Sequence, residues 1–128
     1  MGTQDVANRL HQCCTTGKFR EAIEELYADH ARHIEAMEMP DSPYSRISEG
    51  KDKLLEMSDY WENCNEVHSF ECSKPIVNDN QFVCDMTMEV TSNEGPMAGQ
   101  RMNMQEICLY TVENDKITEA KFFYSMDC

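Results

Sequence analysis

The chain has 128 residues, 41% hydrophobic and 27% charged, enough for one domain with a packed core and too apolar for wholesale disorder. Its 24 Asp and Glu outweigh 11 Lys and Arg, and the formal net charge of −13 repels phosphate backbones and anionic lipid, so neither nucleic acid nor a membrane surface is expected as a partner. Seven cysteines (Cys13, Cys14, Cys64, Cys72, Cys84, Cys108, Cys128) form no C-x-x-C pair, which argues against a zinc ribbon or a thioredoxin-type motif. With no apolar leader and no run of membrane-spanning length, a reduced, cytoplasmic protein with small buried thiols is expected.

Thr3 as N-cap and Asp5 in the first turn predict a helix with Val6, Ala7, Leu10, Cys13 and Cys14 on one stripe, stopped by Gly17. A second helix follows, with Phe19, Ala22, Ile23, Leu26 and Tyr27 on one face and Arg20, Glu21, Glu24 and Glu25 on the other. From His30 to about Glu38 the period changes to two, so that Ala31, His33, Glu35 and Met37 share one face of a strand. Met39-Pro40-Asp41-Ser42-Pro43-Tyr44-Ser45 then breaks regular structure, because two close prolines fit neither a helix nor a central strand. This loop either covers a pocket mouth or is plain surface.

Ser48 is read as the N-cap of a third helix reaching about Asn63, with Leu54, Met57, Ser58 and Trp61 inward and Leu55 and Tyr60 beside them. Only strand patterns follow. Val67 to Val77 ends in Asn78-Asp79-Asn80; Phe82, Cys84, Met86, Met88 and Val90 alternate with Val83, Asp85, Thr87 and Glu89 up to the turn at Ser92-Asn93-Glu94-Gly95-Pro96. Met102, Met104, Glu106, Cys108, Tyr110 and Val112 share one face of the next strand, and a tight turn at Asn114-Asp115 leads into Ile117 to Met126. Both faces of the last strands hold apolar groups, Ile107 and Leu109 on one and Phe122, Tyr124 and Met126 on another. One face is expected to pack on the helices and the other on a second copy of the chain. The fold class is α+β: helices on one side of a curved antiparallel sheet, in a single domain over residues 1–128.

The order of elements, Tyr27-Ala28-Asp29 closing the second helix, Glu49-Gly50-Lys51 opening the third, and the terminal hairpin from Tyr110 to Tyr124 together resemble the nuclear transport factor 2-like superfamily, closest to its SnoaL-like and ketosteroid-isomerase-like members. The resemblance spans nearly the whole chain and implies a strongly curved sheet wrapped around a cone-shaped cavity, closed by three N-terminal helices and commonly dimeric through the outer sheet face. Members do cofactor-free acid–base chemistry on apolar substrates, while others only bind or assemble, so the fold does not settle the function. In the ketosteroid isomerases the catalytic carboxylate lies on the strand after the Tyr-Ala-Asp segment, a position that falls here on Glu35. Their oxyanion-binding tyrosine falls at Leu10, and their protonated carboxylic acid near Ile107 or Cys108, with Glu106 close by. Two of three positions thus lack the matching group.

Glu35 is the expected catalytic group. Facing an apolar cone, it would have its charged form disfavoured and its pKa raised toward the range of a general base; at the strand's open end it would instead be solvated. His33, two positions earlier and roughly 6–7 Å away along the strand, or Tyr110 is the expected assistant. His30 and His33 point to opposite faces and no third ligand is near, so no metal and no cofactor is expected. Glu106, among apolar neighbours, is either the partner of a polar ligand group or paired with Arg101 or Lys121. Tyr27, Trp61, Tyr110 and Tyr124 offer polar tips, and Met86, Met88 and Met104 flexible apolar walls, for a small, largely apolar ligand. The function expected is binding of such a molecule, with or without isomerase-, cyclase- or dehydratase-type proton transfer; the alternative is a non-catalytic binding or dimeric interaction module.

Overall fold

Helix α1 (Thr3–Thr15) is capped by Gly2 rather than Thr3, because the Asp5 carboxylate turns back to accept the Gly2 N–H at 3.3 Å. Its stripe of Val6, Ala7, Leu10, Cys13 and Cys14 is buried as the spacing requires. Gly17, at φ +74°, reverses the chain, and Lys18 N–H returns to the Cys13 carbonyl at 2.8 Å. Helix α2 (Phe19–Leu26) passes directly into strand β1 (Tyr27–Ile34), so the strand opens three residues earlier than the periodicity indicated. This computed structural model describes residues 2–38, 42–94 and 98–124. Met39, Pro40 and Asp41 of the proline loop, Gly95 and Pro96 of the later turn, and Met126 of the last strand lie outside the described residues.

Ser48 does not cap a helix. It is buried in the short strand β2 (Ile47–Glu49), which pairs antiparallel with β1, and Gly50 at φ +100° caps helix α3 (Lys51–Cys64). Only Leu54 of α3 is fully buried; Met57, Ser58 and Trp61 are half-covered, which marks α3 as the outermost of the helices. The expected strand from Val67 to Val77 is two strands, β3 (Asn65–Cys72) and β4 (Ile76–Asn78), separated at Pro75, which has no N–H for a ladder. Strands β5 (Gln81–Ser92), β6 (Arg101–Glu113) and β7 (Lys116–Phe123) follow. Asn114 and Asp115, at φ 51° and 64°, make the two-residue turn between the last two.

The sheet order is β2-β1-β7-β6-β5-β3, with β4 also paired to β5. It is open, curved and mixed rather than purely antiparallel, because β1 lies parallel to β7. A parallel pair cannot be closed by a hairpin, and here the whole intervening chain serves as the crossover. The β5–β6 ladder runs unbroken from Gln81–Thr111 to Thr91–Arg101. It places Phe82, Cys84, Met86, Met88 and Val90 on the buried face opposite Tyr110, Cys108, Glu106, Met104 and Met102. Against this face pack Val6, Leu10, Cys13 and Cys14 of α1 and Leu26 of α2. The outer face keeps Ile107 (38% exposed) beside Phe123 (50% exposed), which are cross-strand partners.

Phe82 stacks on Tyr110 with ring centroids 4.8 Å apart and is 1% exposed. Replacing Phe82 by Ala is expected to destabilise the fold by about 3–5 kcal/mol through the cavity left behind, read as a lowered denaturation midpoint in urea. Ile76→Ser, at 74% exposure, is expected to change stability by less than about 0.5 kcal/mol.

Candidate active site

At the end where β1 and β7 run out side by side, the two strands bring together residues from opposite ends of the sequence. His33 stands opposite Ala120 in the parallel ladder, and Glu35 continues the β1 edge, its N–H donating to the Arg46 carbonyl at 2.8 Å. The Glu35 carboxylate accepts on both oxygens: His33 Nε2 lies 2.7 Å from Oε1, and the Tyr124 hydroxyl donates to Oε2 at 2.8 Å. The strand separation that sequence spacing implied for His33 and Glu35 is closed by their side chains. Phe122, which spacing alone did not single out as a site residue, holds the imidazole in place with its ring centroid 4.4 Å away.

These contacts reverse the expected charge state of Glu35. Burial pushes its pKa up, but the hydrogen bond and attraction of His33 and the Tyr124 hydrogen bond outweigh it and hold the carboxyl below its ordinary value. The group with the raised pKa is Glu106. Desolvation first, and then the nearby negative charge of Glu35, push it up to about 7. Arg101 pairs with Glu89, and among the described residues no cation pairs with Glu106, so the expected ion pair with Arg101 or Lys121 is not formed. Its one hydrogen-bonding neighbour is the Cys108 thiol at 3.9 Å, a weak donor that itself also points to the Met86 sulfur at 3.6 Å.

The remaining candidates divide by position. An open cleft of about 240 Å³ is lined by Ile34, Glu35, Ala36, Arg46, Lys121, Phe122, Phe123 and Tyr124. Of the expected ligand-binding residues only Tyr124 lines it. Met86 and Met88 are buried on β5, Met104 is half-buried opposite Met88, and Tyr27 and Tyr110 are core residues whose hydroxyls burial pushes well above their ordinary pKa. Trp61 is half-buried on α3, where its carbonyl accepts the Asn65 side chain at 2.9 Å. Leu10 is buried in the helix–sheet core. Asp85 faces outward and accepts the Gln105 amide at 3.1 Å, as its polar company implied. From the proline loop, Tyr44 folds back on α3, its hydroxyl donating to Glu56 at 3.1 Å. Among the described residues no group of three His, Cys, Asp or Glu is placed to hold a metal ion.

An α+β sheet of this order, with a histidine–glutamate–tyrosine cluster at its open end, has clear relatives. The family profile of the SnoaL-like domain matches residues 1–124. The structure of a proposed SnoaL-like polyketide cyclase from Mesorhizobium loti, whose description also carries the words carbohydrate phosphatase, is 35% identical, with a TM-score of 0.88 over 97% of this chain and 100% of that one. A Catenulispora acidiphila protein with a ketosteroid isomerase-like fold, in complex with trimethylamine, is 14% identical with a TM-score of 0.70 over 94% and 85% of the two chains. A cystatin-like protein of unknown function from Xanthomonas campestris is 13% identical with a TM-score of 0.74 over 98% and 92%. The last two show the fold alone. No curated protein matches the sequence. The chain belongs to the SnoaL-like family, within the nuclear transport factor 2-like superfamily.

Glu106 sets a pH dependence of stability. Its folded pKa of about 7 lies above the unfolded value, so between about pH 4.5 and 7 the folded chain holds a proton that the unfolded chain has lost. Stability should therefore fall as pH rises through that window, by roughly 2–3 kcal/mol. Glu106→Gln should flatten this slope in urea titrations at pH 5, 6, 7 and 8. Glu35, with its lowered pKa, acts in the opposite sense and only below about pH 4.5.

Proposed function

We propose that the protein binds a small, largely apolar molecule beside Glu35 and Glu106, on the sheet face that both carboxyl groups share with His33 and Tyr124, and moves a proton on it without a cofactor, as an isomerase, cyclase or dehydratase of its family would. The observation that supports this reading most is the split between two neighbouring carboxyl groups, one held ionised and the other protonated near neutral pH. Such a pair supplies a base and an acid at one pH. Glu35 takes the proton from a carbon next to a carbonyl, and His33 and Tyr124 keep the base oriented. The Glu106 acid donates a hydrogen bond to the oxygen on which negative charge develops, where a water-poor setting strengthens it. The proton held by Glu35 then returns to another carbon of the same molecule. Tyr110 is assigned to packing because it is 2% exposed and stacked on Phe82.

Deuterium incorporation next to the carbonyl of a small β,γ-unsaturated cyclic ketone in heavy water, followed by proton NMR, tests the chemistry. Glu35→Gln should lower the exchange rate by about 10²–10⁴-fold while the variant stays folded and still unfolds cooperatively in urea at pH 7. If exchange persists in that variant, Glu35 is not the base. The rate should also decline above a pH of about 7 as Glu106 ionises. Glu106→Gln, which keeps a donor at every pH, should remove that decline.

A second reading concerns assembly, and the exposed Ile107–Phe123 pair on the outer sheet face favours it. We infer a homodimer through this face, either supporting the catalyst or standing alone as the function. No helix among the described residues is long and apolar enough to cross a membrane, and the six described cysteines are free, which supports a reducing, cytoplasmic setting. Sedimentation at micromolar concentration should give twice the monomer mass, and Ile107→Arg should halve it; a monomeric wild type removes the dimer.

A further inference from the structure

Three thiols from distant parts of the chain converge where α1 lies over the β3 end of the sheet, a region that the reaction at Glu35 does not use. Cys14 sits on the buried stripe of α1, Cys72 closes the edge strand β3, and Cys84 lies on the buried face of β5. Cys72 stands opposite Met86 in the β3–β5 ladder, so Cys84, two residues before Met86, is its diagonal neighbour on the same face. The thiols of Cys14 and Cys84 donate hydrogen bonds to the Cys72 sulfur. His11, one turn before Cys14 on α1, completes the group. Its Nδ1 lies 3.0 Å from the Ser73 carbonyl oxygen, and the Cys72 thiol donates to that same oxygen at 3.5 Å, so ring and sulfur meet over one atom.

These contacts make Cys72 the most easily ionised of the three. The hydrogen bonds from Cys14 and Cys84 come first, burial acts against them and His11 adds to them, and together they hold the Cys72 thiol below its ordinary value. Cys14 and Cys84 are held above theirs by donating to Cys72 and by burial. The thiolate is the form that attacks an oxidant. Cys72 is also the sulfur that an oxidant reaches, since it is 9% exposed on a strand with no further strand beyond it among the described residues, whereas Cys84 is 0% exposed. Cys84 and Cys108 oppose each other in the β5–β6 ladder, but both are fully buried and the Cys108 thiol is turned to Met86 and Glu106. Diagonal neighbours on a sheet stand about 7–8 Å apart, beyond the ~4.4–6.8 Å between Cα atoms that a disulfide spans, which disfavours Cys84 as the partner of Cys72. Cys14 approaches from the helix layer and is free of that constraint.

We propose that Cys72 is a site of oxidation by small hydroperoxides and that Cys14 resolves it as a disulfide joining α1 to β3. Cys72 gives its proton to His11, and its sulfur attacks the outer peroxide oxygen. The O–O bond breaks, the leaving oxygen takes the proton, and Cys72 sulfenic acid and one molecule of alcohol or water result. The Cys14 sulfur then attacks the Cys72 sulfur; the S–S bond forms, the S–O bond breaks, and the hydroxide leaves as water with the Cys14 proton. Two thiols lose two electrons and the hydroperoxide gains them. Small thiols reverse the bond by exchange, so the mark is transient in a reducing setting.

Hydrogen peroxide added to the reduced full chain under native conditions, followed by thiol blocking and peptide mapping by mass spectrometry, tests the pair. The map should show Cys14 linked to Cys72, and dithiothreitol should remove the link. Cys14→Ala should leave Cys72 as a sulfenic acid that dimedone captures, Cys72→Ala should give neither product at the same peroxide dose, and Cys84→Ala should keep the link. His11→Gln should slow its formation by about tenfold or more, and His11→Lys, which keeps a cation beside the sulfur, should restore part of the rate. The wild-type map depends on no substitution, so it decides the matter even where a variant fails to fold. A Cys84–Cys108 link, links between copies in place of this one, or thiols that stay reduced in the folded chain at a dose that oxidises them in urea overturns the proposal.

Discussion

The unbroken ladder between β5 and β6 is the constraint from which the rest follows. Side chains on paired strands alternate faces, so a single register decides that Glu106 shares a face with Met86, Cys108 and Tyr110, and not with Asp85 and Ile107. A slip of one residue would send the acid to solvent and turn Ile107 into the core. The helices then complete the effect: α1 and α2 cover this face with Val6, Leu10, Cys13, Cys14 and Leu26, and water is removed from around the carboxyl. Packing and acid–base chemistry are thus one problem in this fold, because the burial that stabilises the sheet is also what raises the pKa of Glu106.

Two glutamates in one neighbourhood reach opposite protonation states because their contacts differ. Glu35 is surrounded by donors; Glu106 has little beside it but a thiol and hydrocarbon. Each also acts on the other, since the ionised Glu35 adds to the difficulty of charging Glu106. The pair therefore titrates as a coupled unit. Whatever neutralises Glu35 makes Glu106 easier to ionise.

The sequence carried the helical stripes of α1 and α2 and the alternation of β5 to β7 because each is a local period set by one buried face. It failed where the determinant is not periodic. Ser48 has the chemistry of a cap, yet Gly50 takes the positive φ that starts α3 and Ser48 is drawn into a strand. Pro75 splits a segment whose apolar content looks continuous. At the site, Glu35 and His33 were legible through their spacing, and Tyr124 through its strand, but the partnership of Tyr124 with Glu35 is a tertiary fact. The expected rise in the Glu35 pKa failed for that reason: burial can be guessed from pattern, whereas donors arriving from a distant strand cannot.

The parallel pairing of β1 with β7 has a temporal consequence. Tyr124 and Glu35 are separated by 89 positions, and the strand that brings Tyr124 to the site is the last of the described elements. During synthesis, α1, α2 and β1 emerge with no partner for the β1 edge, and only β2 is available to it for most of the time. The long loop closure that seats β7 is among the slowest kinds of contact to form. Until then Glu35 lacks its tyrosine, and a ribosome-bound or prematurely ended chain holds its candidate base without the means to orient it. The candidate site is therefore complete only once β7 has been made and seated beside β1.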